Sequence, residues 1–261
     1  GSVYMMLLNS NGTVKSWTKI NDTSSGFLGT LNANGFFGYG MAAAGDVDGD
    51  GVGDLAVSAY RDSDCRSSAG AVYVLFMNSD GTLKSNQKIN CTMGNLIGMI
   101  TDYEYFGSSA AGVGDWDGNG VCDLAVGAIN DRERYGVEGS LWILYLDTLG
   151  QVEDWSKISA ATNWPGNDLG LDTDFGCAVD SIGDLDGDGY VDLAVGARED
   201  DDGFVNAGAV YILFMDADHT VKSHVKISST SGGFAGTLDT SHKFGSAVRS
   251  LGDIDGDGVT D

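Results

Sequence analysis

The chain has 261 residues, with 38 acidic residues against 14 basic ones and a formal net charge of −24. This balance argues against nucleic acid and anionic membranes as partners, because both require a basic contact surface. The sequence contains no apolar run of 18 residues, so we expect no membrane insertion. Its 40 glycines and single proline favour many short strands joined by turns.

The predicted strands recur in a fixed order along the chain. In the unit from Phe106 to Ile158, FGSSAAGVGD predicts an inner strand of small residues that leads into an acidic loop, and DLAVGA predicts a buried strand after the loop. GSLWILYL predicts a third, aromatic and branched strand, DTLGQ a turn, and VEDWSKIS a fourth, more polar strand. The neighbouring units contain GAVYVLFMNSDGT and GAVYILFMDADHT, and the Asp-Gly of the first is typical of a hairpin turn.

Each unit therefore predicts a sheet of four antiparallel strands with small residues inside and larger ones outside. A single sheet cannot bury two apolar faces, so neighbouring sheets must cover them. The pattern predicts an all-β fold, a β-propeller of four-stranded antiparallel blades, because wedge-shaped blades need this gradient of residue size. A linear β-repeat array is the alternative.

The acidic loop occurs four times with a strict period. The copies read DVDGDGVGD, DWDGNGVCD, DLDGDGYVD and DIDGDGVTD, and they begin at Asp46, Asp115, Asp184 and Asp253. Each start lies 69 residues after the previous one (115−46, 184−115 and 253−184). An oxygen-bearing side chain at every second position of a glycine-rich loop is typical of calcium sites, and the period indicates a repeat fold.

We expect up to four Ca²⁺ ions, each bound by the side chains at loop positions one, three, five and nine and by the carbonyl at position seven. The predicted ligands are Asp46, Asp48, Asp50, Val52 and Asp54; Asp115, Asp117, Asn119, Val121 and Asp123; Asp184, Asp186, Asp188, Tyr190 and Asp192; and Asp253, Asp255, Asp257, Val259 and Asp261. Valine replaces the glutamate that an EF-hand carries at position twelve, which favours a structural ion over a sensor. Because Asn119 lowers the charge of the second loop, the loop sequence predicts that this loop binds calcium most weakly.

The combined motif FG…GD-x-D-G-D-G-x-x-DLAVGA resembles the FG-GAP repeat of integrin α-subunit β-propellers and of related secreted proteins. The resemblance extends over the whole chain and implies binding without catalysis. One difference is that the family often has proline after Gly-Ala, where this chain has Tyr60, Ile129 and Arg198.

The repeat boundaries predict one propeller region over residues 1–261 with about four blades, the first and last incomplete. The expected blade units are roughly 37–91, 106–160, 175–229, and 244–261 together with 1–22. We expect the chain to be a portion of a longer repeat array; a small four-unit ring, in which the two end pieces share one blade, is the alternative. An unpaired strand edge would permit self-association.

Cysteines and sequons favour an extracellular or cell-surface location. The strand layout places Cys65 and Cys91 at the same end of a blade, and Cys122 and Cys177 far apart, so we predict a Cys65–Cys91 disulfide and no bond between the other two. Asn11, Asn21 and Asn90 begin Asn-x-Thr sequons at positions expected to be exposed, and are candidate glycosylation sites.

The predicted function is a calcium-stabilised extracellular adhesion or scaffold module that binds a protein or glycan partner, not an enzyme. None of the three histidines falls in a His-x-x-x-His motif or a His/Asp/Ser grouping. Two alternatives are a structural subunit of a fibre or surface coat and an accessory domain of a secreted carbohydrate-active enzyme.

Overall fold

The computed structural model describes residues 1–132, 136–166 and 168–261, and every regular element in these ranges is a β-strand. In chain order the strands are β1 (Val3–Leu8), β2 (Val14–Ile20), β3 (Met41–Gly45), β4 (Asp54–Ser58), β5 (Val72–Met77), β6 (Leu83–Ile89), β7 (Phe106–Gly114), β8 (Asp123–Ala128), β9 (Ser140–Leu146), β10 (Val152–Ile158), β11 (Phe175–Gly183), β12 (Asp192–Ala197), β13 (Ala209–Met215) and β14 (Val221–Ile227).

Three sheets contain four consecutive antiparallel strands each, in the orders β3-β4-β5-β6, β7-β8-β9-β10 and β11-β12-β13-β14, and β1 pairs with β2 in a hairpin. We call the three four-stranded sheets blades one, two and three. The expectation of four-stranded antiparallel units is therefore confirmed. Residues 244–261, where a further unit was expected, form a turn-rich segment without a strand.

The third strand of each blade is apolar throughout because both of its faces are covered. In β5, Val74 and Phe76 belong to a core shared with Leu124 and Trp142 of blade two. The alternate residue Tyr73 faces the other way, into a core that includes Val3 of β1. Strand alternation thus places every second residue of a blade against the preceding neighbour and the others against the following one.

Successive blades meet where the Phe-Gly of one inner strand approaches the glycine before the previous third strand. Gly70 forms a parallel bridge with Phe106, and the pairs Gly139–Phe175 and Gly208–Phe244 repeat this bridge. Gly70 has a φ of 98°, and a Cβ there would lie 2.0 Å from the Phe106 carbonyl oxygen. Only glycine permits this approach, which fixes the distance between blades.

The inner strands converge on a common cavity of about 280 Å³. Its lining includes Met41 of β3, Ala110 of β7, Val179 of β11 and Arg249 of the segment after Phe244. Residues separated by multiples of about 69 positions meet there, which requires radial packing rather than stacking along a line. The fold is a β-propeller arrangement of four-stranded antiparallel blades, and the linear alternative is wrong.

Candidate metal sites

The aspartate at the first position holds each acidic loop in its tight curve. Asp46 accepts hydrogen bonds from the backbone N–H groups of Asp50 (3.0 Å) and Gly51 (2.8 Å). The first aspartates of the other loops make equivalent contacts, including Asp115 with Gly120 (2.9 Å) and Asp184 with Gly189 (2.8 Å). These bonds wrap the backbone around the carboxylate, so that the side chains of the loop approach one another.

The ninth position is a buried aspartate that joins the loop to the third strand. Asp123 is fully buried, and its Oδ2 accepts from the Trp116 N–H at 2.8 Å and its Oδ1 from the Leu146 N–H at 2.9 Å. Asp54 and Asp192 are buried in the same way and accept from Met77 and Met215, each at 2.9 Å. One carboxylate thereby ties together the loop, the second strand and the third strand of its blade.

A β-bulge explains why the third strand offers that N–H group. The pairing of β5 with β6 shifts register between Phe76 and Met77, and Lys84 is the extra residue of β6. Bulges interrupt the ladder and redirect a side chain. The Met77 N–H therefore bonds to Asp54 instead of to a strand, while the bulged Lys84 extends to the loop, with Nζ 2.7 Å from both Asp48 and Asp50.

Each loop brings three carboxylates to a common point. In every loop, one oxygen from each of three acidic residues lies within 4.8 Å of the others. The sets are Asp46, Asp48 and Asp50; Asp115, Asp117 and Asp123; Asp184, Asp186 and Asp192; and Asp253, Asp255 and Asp261. The predicted ligands Asp54, Asp188 and Asp257 belong to the same loops but lie outside these sets of three. Asn119 directs its amide nitrogen to the Leu146 carbonyl at 2.8 Å.

The arrangement fits a hard divalent cation. All the donors are oxygen atoms, which Ca²⁺ prefers, and the sets lack the sulfur and imidazole ligands typical of zinc. In the first loop, Asp48 Oδ1 is buried without a hydrogen-bond partner. A buried carboxylate oxygen is costly unless a donor or cation satisfies it, so this atom is available as a ligand.

Burial and the bulged lysines act oppositely on the loop carboxyls. Burial raises the pKa of Asp123 to about 6, and it also raises the pKa of Asp54 and Asp192. The hydrogen bond from Lys84 lowers the pKa of Asp50, and the one from Lys222 lowers that of Asp188. The ninth carboxylates are therefore the ones that most need a further positive charge when ionised.

Sequence analysis missed a second repeated ionic group, at the opposite end of each blade. Lys88 lies 2.8 Å from Asp62, and both side chains are buried. Lys157 pairs with Asp131, and Lys226 lies 2.8 Å from Asp200. Each lysine also lies over the aromatic ring of its third strand, Tyr73, Trp142 or Tyr211, with Nζ between 4.8 and 5.7 Å from the ring centroid. The spacing of 69 between the lysines, and between the aspartates, was the available signal.

In blade two this group contains an additional buried acid, Glu104. Burial, and next the charge of Asp131, raise the pKa of Glu104 to about 7. Because the folded pKa is above the unfolded value of 4.5, stability is highest below that value and falls as pH rises through about 7. We expect the free energy of unfolding to fall by on the order of 3 kcal/mol over this range.

Glu104→Gln tests this prediction, because glutamine does not ionise. Urea denaturation of both proteins between pH 4.5 and 8 should give a flatter profile for the variant. Parallel profiles would contradict the prediction.

Cys65 and Cys91 form a disulfide with a Cα–Cα distance of 5.9 Å, and Cys122 and Cys177 are free. The bond closes a loop with a sequence separation of 26. The loop-entropy relation predicts that Cys65→Ser with Cys91→Ser lowers the free energy of unfolding by about 3.5 kcal/mol. The Cys122→Ser, Cys177→Ser variant is the control, and denaturant titration is the measurement. Equal losses in the two variants would refute a specific role for the disulfide.

The structure corrects the expectation that all three sequons are exposed. Asn90 is fully buried, and its Oδ1 accepts hydrogen bonds from the Thr92 and Met93 N–H groups at 2.9 Å each. A glycan on its side chain has no room in this fold, because Asn90 follows the fourth strand directly beneath the linker closed by the disulfide. Asn11 is exposed and Asn21 is partly exposed.

Comparison with known proteins identifies the repeat. The FG-GAP repeat profile matches residues 37–75 and 179–213, which contain the first and third acidic loops. The chain is 31% identical to Drosophila melanogaster integrin alpha-PS2 over 189 residues, 70% of this chain and 12% of that protein. It is 33% identical to Drosophila integrin alpha-PS5 over 198 residues, 75% of this chain and 17% of that protein. Identity to Xenopus laevis integrin alpha-4 is 30% over 162 residues, 62% of this chain and 14% of that protein.

The radial blades with an acidic loop between their first and second strands define a β-propeller repeat protein. Together with the profile match and the relatives, they place the chain in the FG-GAP repeat family, with blades similar to those of integrin alpha subunits. The chain spans 12 to 17% of the length of these three relatives.

Proposed function

We propose that this chain is a calcium-stabilised module of an extracellular adhesion protein, and that it binds a protein or glycan partner without catalysing a reaction. The observation that carries the proposal is the convergence of three carboxylates in every acidic loop, at the same place in successive blades. The similarity to integrin alpha subunits supports the adhesion role and the cell-surface location.

In this proposal each loop holds one Ca²⁺ through its side chains at positions one, three, five and nine and the carbonyl at position seven. The ion supplies positive charge that offsets the repulsion among the carboxylates. The chain supplies the order: the first aspartate curves the loop, and the ninth joins it to the third strand. Calcium therefore stabilises the inner hairpin of each blade rather than taking part in chemistry.

The partner surface that we propose lies at the ends of the strands opposite the acidic loops. Tyr60 lies between Tyr39 and Tyr105, with ring centroids 4.4 and 5.6 Å apart, and the Arg61 guanidinium lies 5.4 Å from the Tyr60 ring. Tyr39, Tyr60, Tyr105 and Arg198 line a cleft of about 160 Å³. Exposed aromatic and arginine side chains are frequent at protein interfaces, and aromatic rings also stack on sugars.

A binding screen tests the proposal. The immobilised chain is presented to extracellular-matrix proteins and to a glycan array, in calcium and in EDTA. We expect a partner that binds in calcium, is lost in EDTA and is weakened by Tyr60→Ala, with Lys15→Gln as a control on an outer strand. If the wild-type chain takes up no calcium by titration calorimetry, the calcium part of the proposal is wrong.

The disulfide supports an oxidising, extracellular compartment, and Asn11 and Asn21 are the sequons that we propose as glycan acceptors. Among the described residues, no helix is long and apolar enough to cross a membrane.

Self-association through a strand edge is also proposed. In the described sheets β1 pairs only with β2, and the hairpin exposes Tyr4, Met6 and Trp17. Size-exclusion chromatography of the chain and of Met6→Lys compares the two. A dimer or larger species that the substitution dissociates would support this contact.

A further inference from the structure

The bulge at the start of the fourth strand places one side chain beside each acidic loop. The bulged residues are Lys84 in β6, Glu153 in β10 and Lys222 in β14, and Lys15 occupies the same position in β2. In blades one and three the bulged lysine reaches the carboxylates at positions three and five. Lys84 Nζ lies 2.7 Å from both Asp48 and Asp50, and Lys222 Nζ lies 2.6 Å from Asp186 and also contacts Asp188.

Blade two differs at both partners of this contact. Position five is Asn119 rather than aspartate, and the bulged residue is the acidic Glu153. Of the ion pairs formed by the described residues, none involves the second loop. Loops one and three therefore combine four carboxylates with one ammonium group, while loop two combines three carboxylates with no ammonium group and a fourth carboxylate at the bulge.

We propose that Lys84 and Lys222 are internal cations that compete with calcium for the carboxylates of their loops, so that loop two binds calcium most tightly. The inference rests on the proposed calcium function and concerns how the sites are ranked. Counting the carboxylates within the loops predicts the opposite order, with loop two weakest. The ranking of the sites therefore decides between the loop sequence alone and the tertiary contacts.

The competition follows from the small number of oxygen atoms in each loop. Calcium requires six to eight oxygen ligands, and an ammonium group 2.7 Å from two of the same carboxylates must move away or share them. Lys84 is 42% exposed and Lys222 is 39% exposed, so their ion pairs are screened by water and can be displaced. The cost of displacing them lowers calcium affinity by about three- to tenfold, judged from exposed ion pairs.

Calcium titration calorimetry on matched variants tests this competition. Lys84→Gln should tighten one site by about three- to tenfold, and the double variant with Lys222→Gln should tighten two sites. Lys15→Gln is the control, because it removes the same charge from the same bulge position but Lys15 forms no ion pair with an acidic loop in the described residues. Glu153→Lys should weaken the second site more than Glu153→Gln does.

Terbium luminescence assigns the second site. Trp116 is the second residue of loop two, so luminescence sensitised by tryptophan reports Tb³⁺ bound there, and Trp116→Phe identifies that signal. We expect this site to fill first. Melting in EDTA gives a metal-free readout: Lys84→Gln should melt below Lys15→Gln, because its loop has lost a counter-charge, and saturating calcium should abolish this difference.

The outcomes separate the two proposals. If the wild-type chain takes up neither calcium nor terbium, the proposed calcium function and this inference both fail. If calcium binds but the glutamine variants of Lys84 and Lys222 behave like Lys15→Gln, the competition is refuted and the calcium function stands. Filling of the Trp116-reported site last would equally refute the proposed order.

Discussion

Removing calcium should lower the melting temperature of this chain by about 15–30 °C. A ligand present at 100 times its Kd stabilises the folded state by about 2.7 kcal/mol per site, so the three loops that join strands within blades contribute about 8 kcal/mol together. For a chain of this size each kcal/mol corresponds to about 2–4 °C. The physical reason is that each loop holds its carboxylates within 4.8 Å of one another, and their repulsion is unopposed without a cation.

Differential scanning calorimetry in calcium, in EDTA, and in EDTA with excess magnesium measures this effect. Magnesium should restore little of the stability, because it requires shorter, octahedral coordination and retains its waters. A matched concentration of sodium chloride controls for general screening of the net charge of −24. Identical melting in calcium and EDTA would remove the basis of the proposed function.

Replacing the buried ninth aspartate should destabilise the chain even when calcium is absent. Asp123→Ala leaves the N–H groups of Trp116 and Leu146 buried without an acceptor. Each unsatisfied group costs about 1–3 kcal/mol, so we expect a loss of about 2–5 kcal/mol in EDTA. The loss should be larger in calcium, because a ligand disappears as well.

Asp117→Ala is the matched control for this prediction. Asp117 belongs to the same set of three carboxylates, but it is exposed, and its hydrogen bonds come from Asn119 within the loop. Urea titrations in EDTA should give wild-type stability for Asp117→Ala and a clear loss for Asp123→Ala, whereas both variants should lose stability in calcium. Equal stability of the two variants in EDTA would show that Asp123 is only a metal ligand.

The repeat period carried most of the predictable information. Because the acidic loops recur every 69 residues with the same flanking patterns, one unit could be interpreted and then transferred to the others. The alternation of small and large apolar residues predicted the strand order within a blade, which the structure confirms. Local sequence suffices here because each strand pairs with its neighbour in sequence through a short connection.

The polar contacts across the blade were not predictable in the same way. Lys84 lies 34 residues from Asp50, and Lys88 lies 26 residues from Asp62, so no short motif contains either pair. The burial of Asn90 was also missed, because its sequon appears to end a polar strand and only the packed linker covers it. In each case the deciding factor is a side chain brought in by a distant segment.

The amino-acid sequence by itself determined the repeat, the four-stranded blades and the position of the acidic loops, because these depend on residue periodicity and on contacts between neighbouring strands. The tertiary structure decided that the blades are arranged radially, since the inner strands meet around one cavity. It also decided which loops face a lysine, because the β-bulge, and not the loop sequence, directs Lys84 and Lys222 to their carboxylates and places Glu153 beside the second loop.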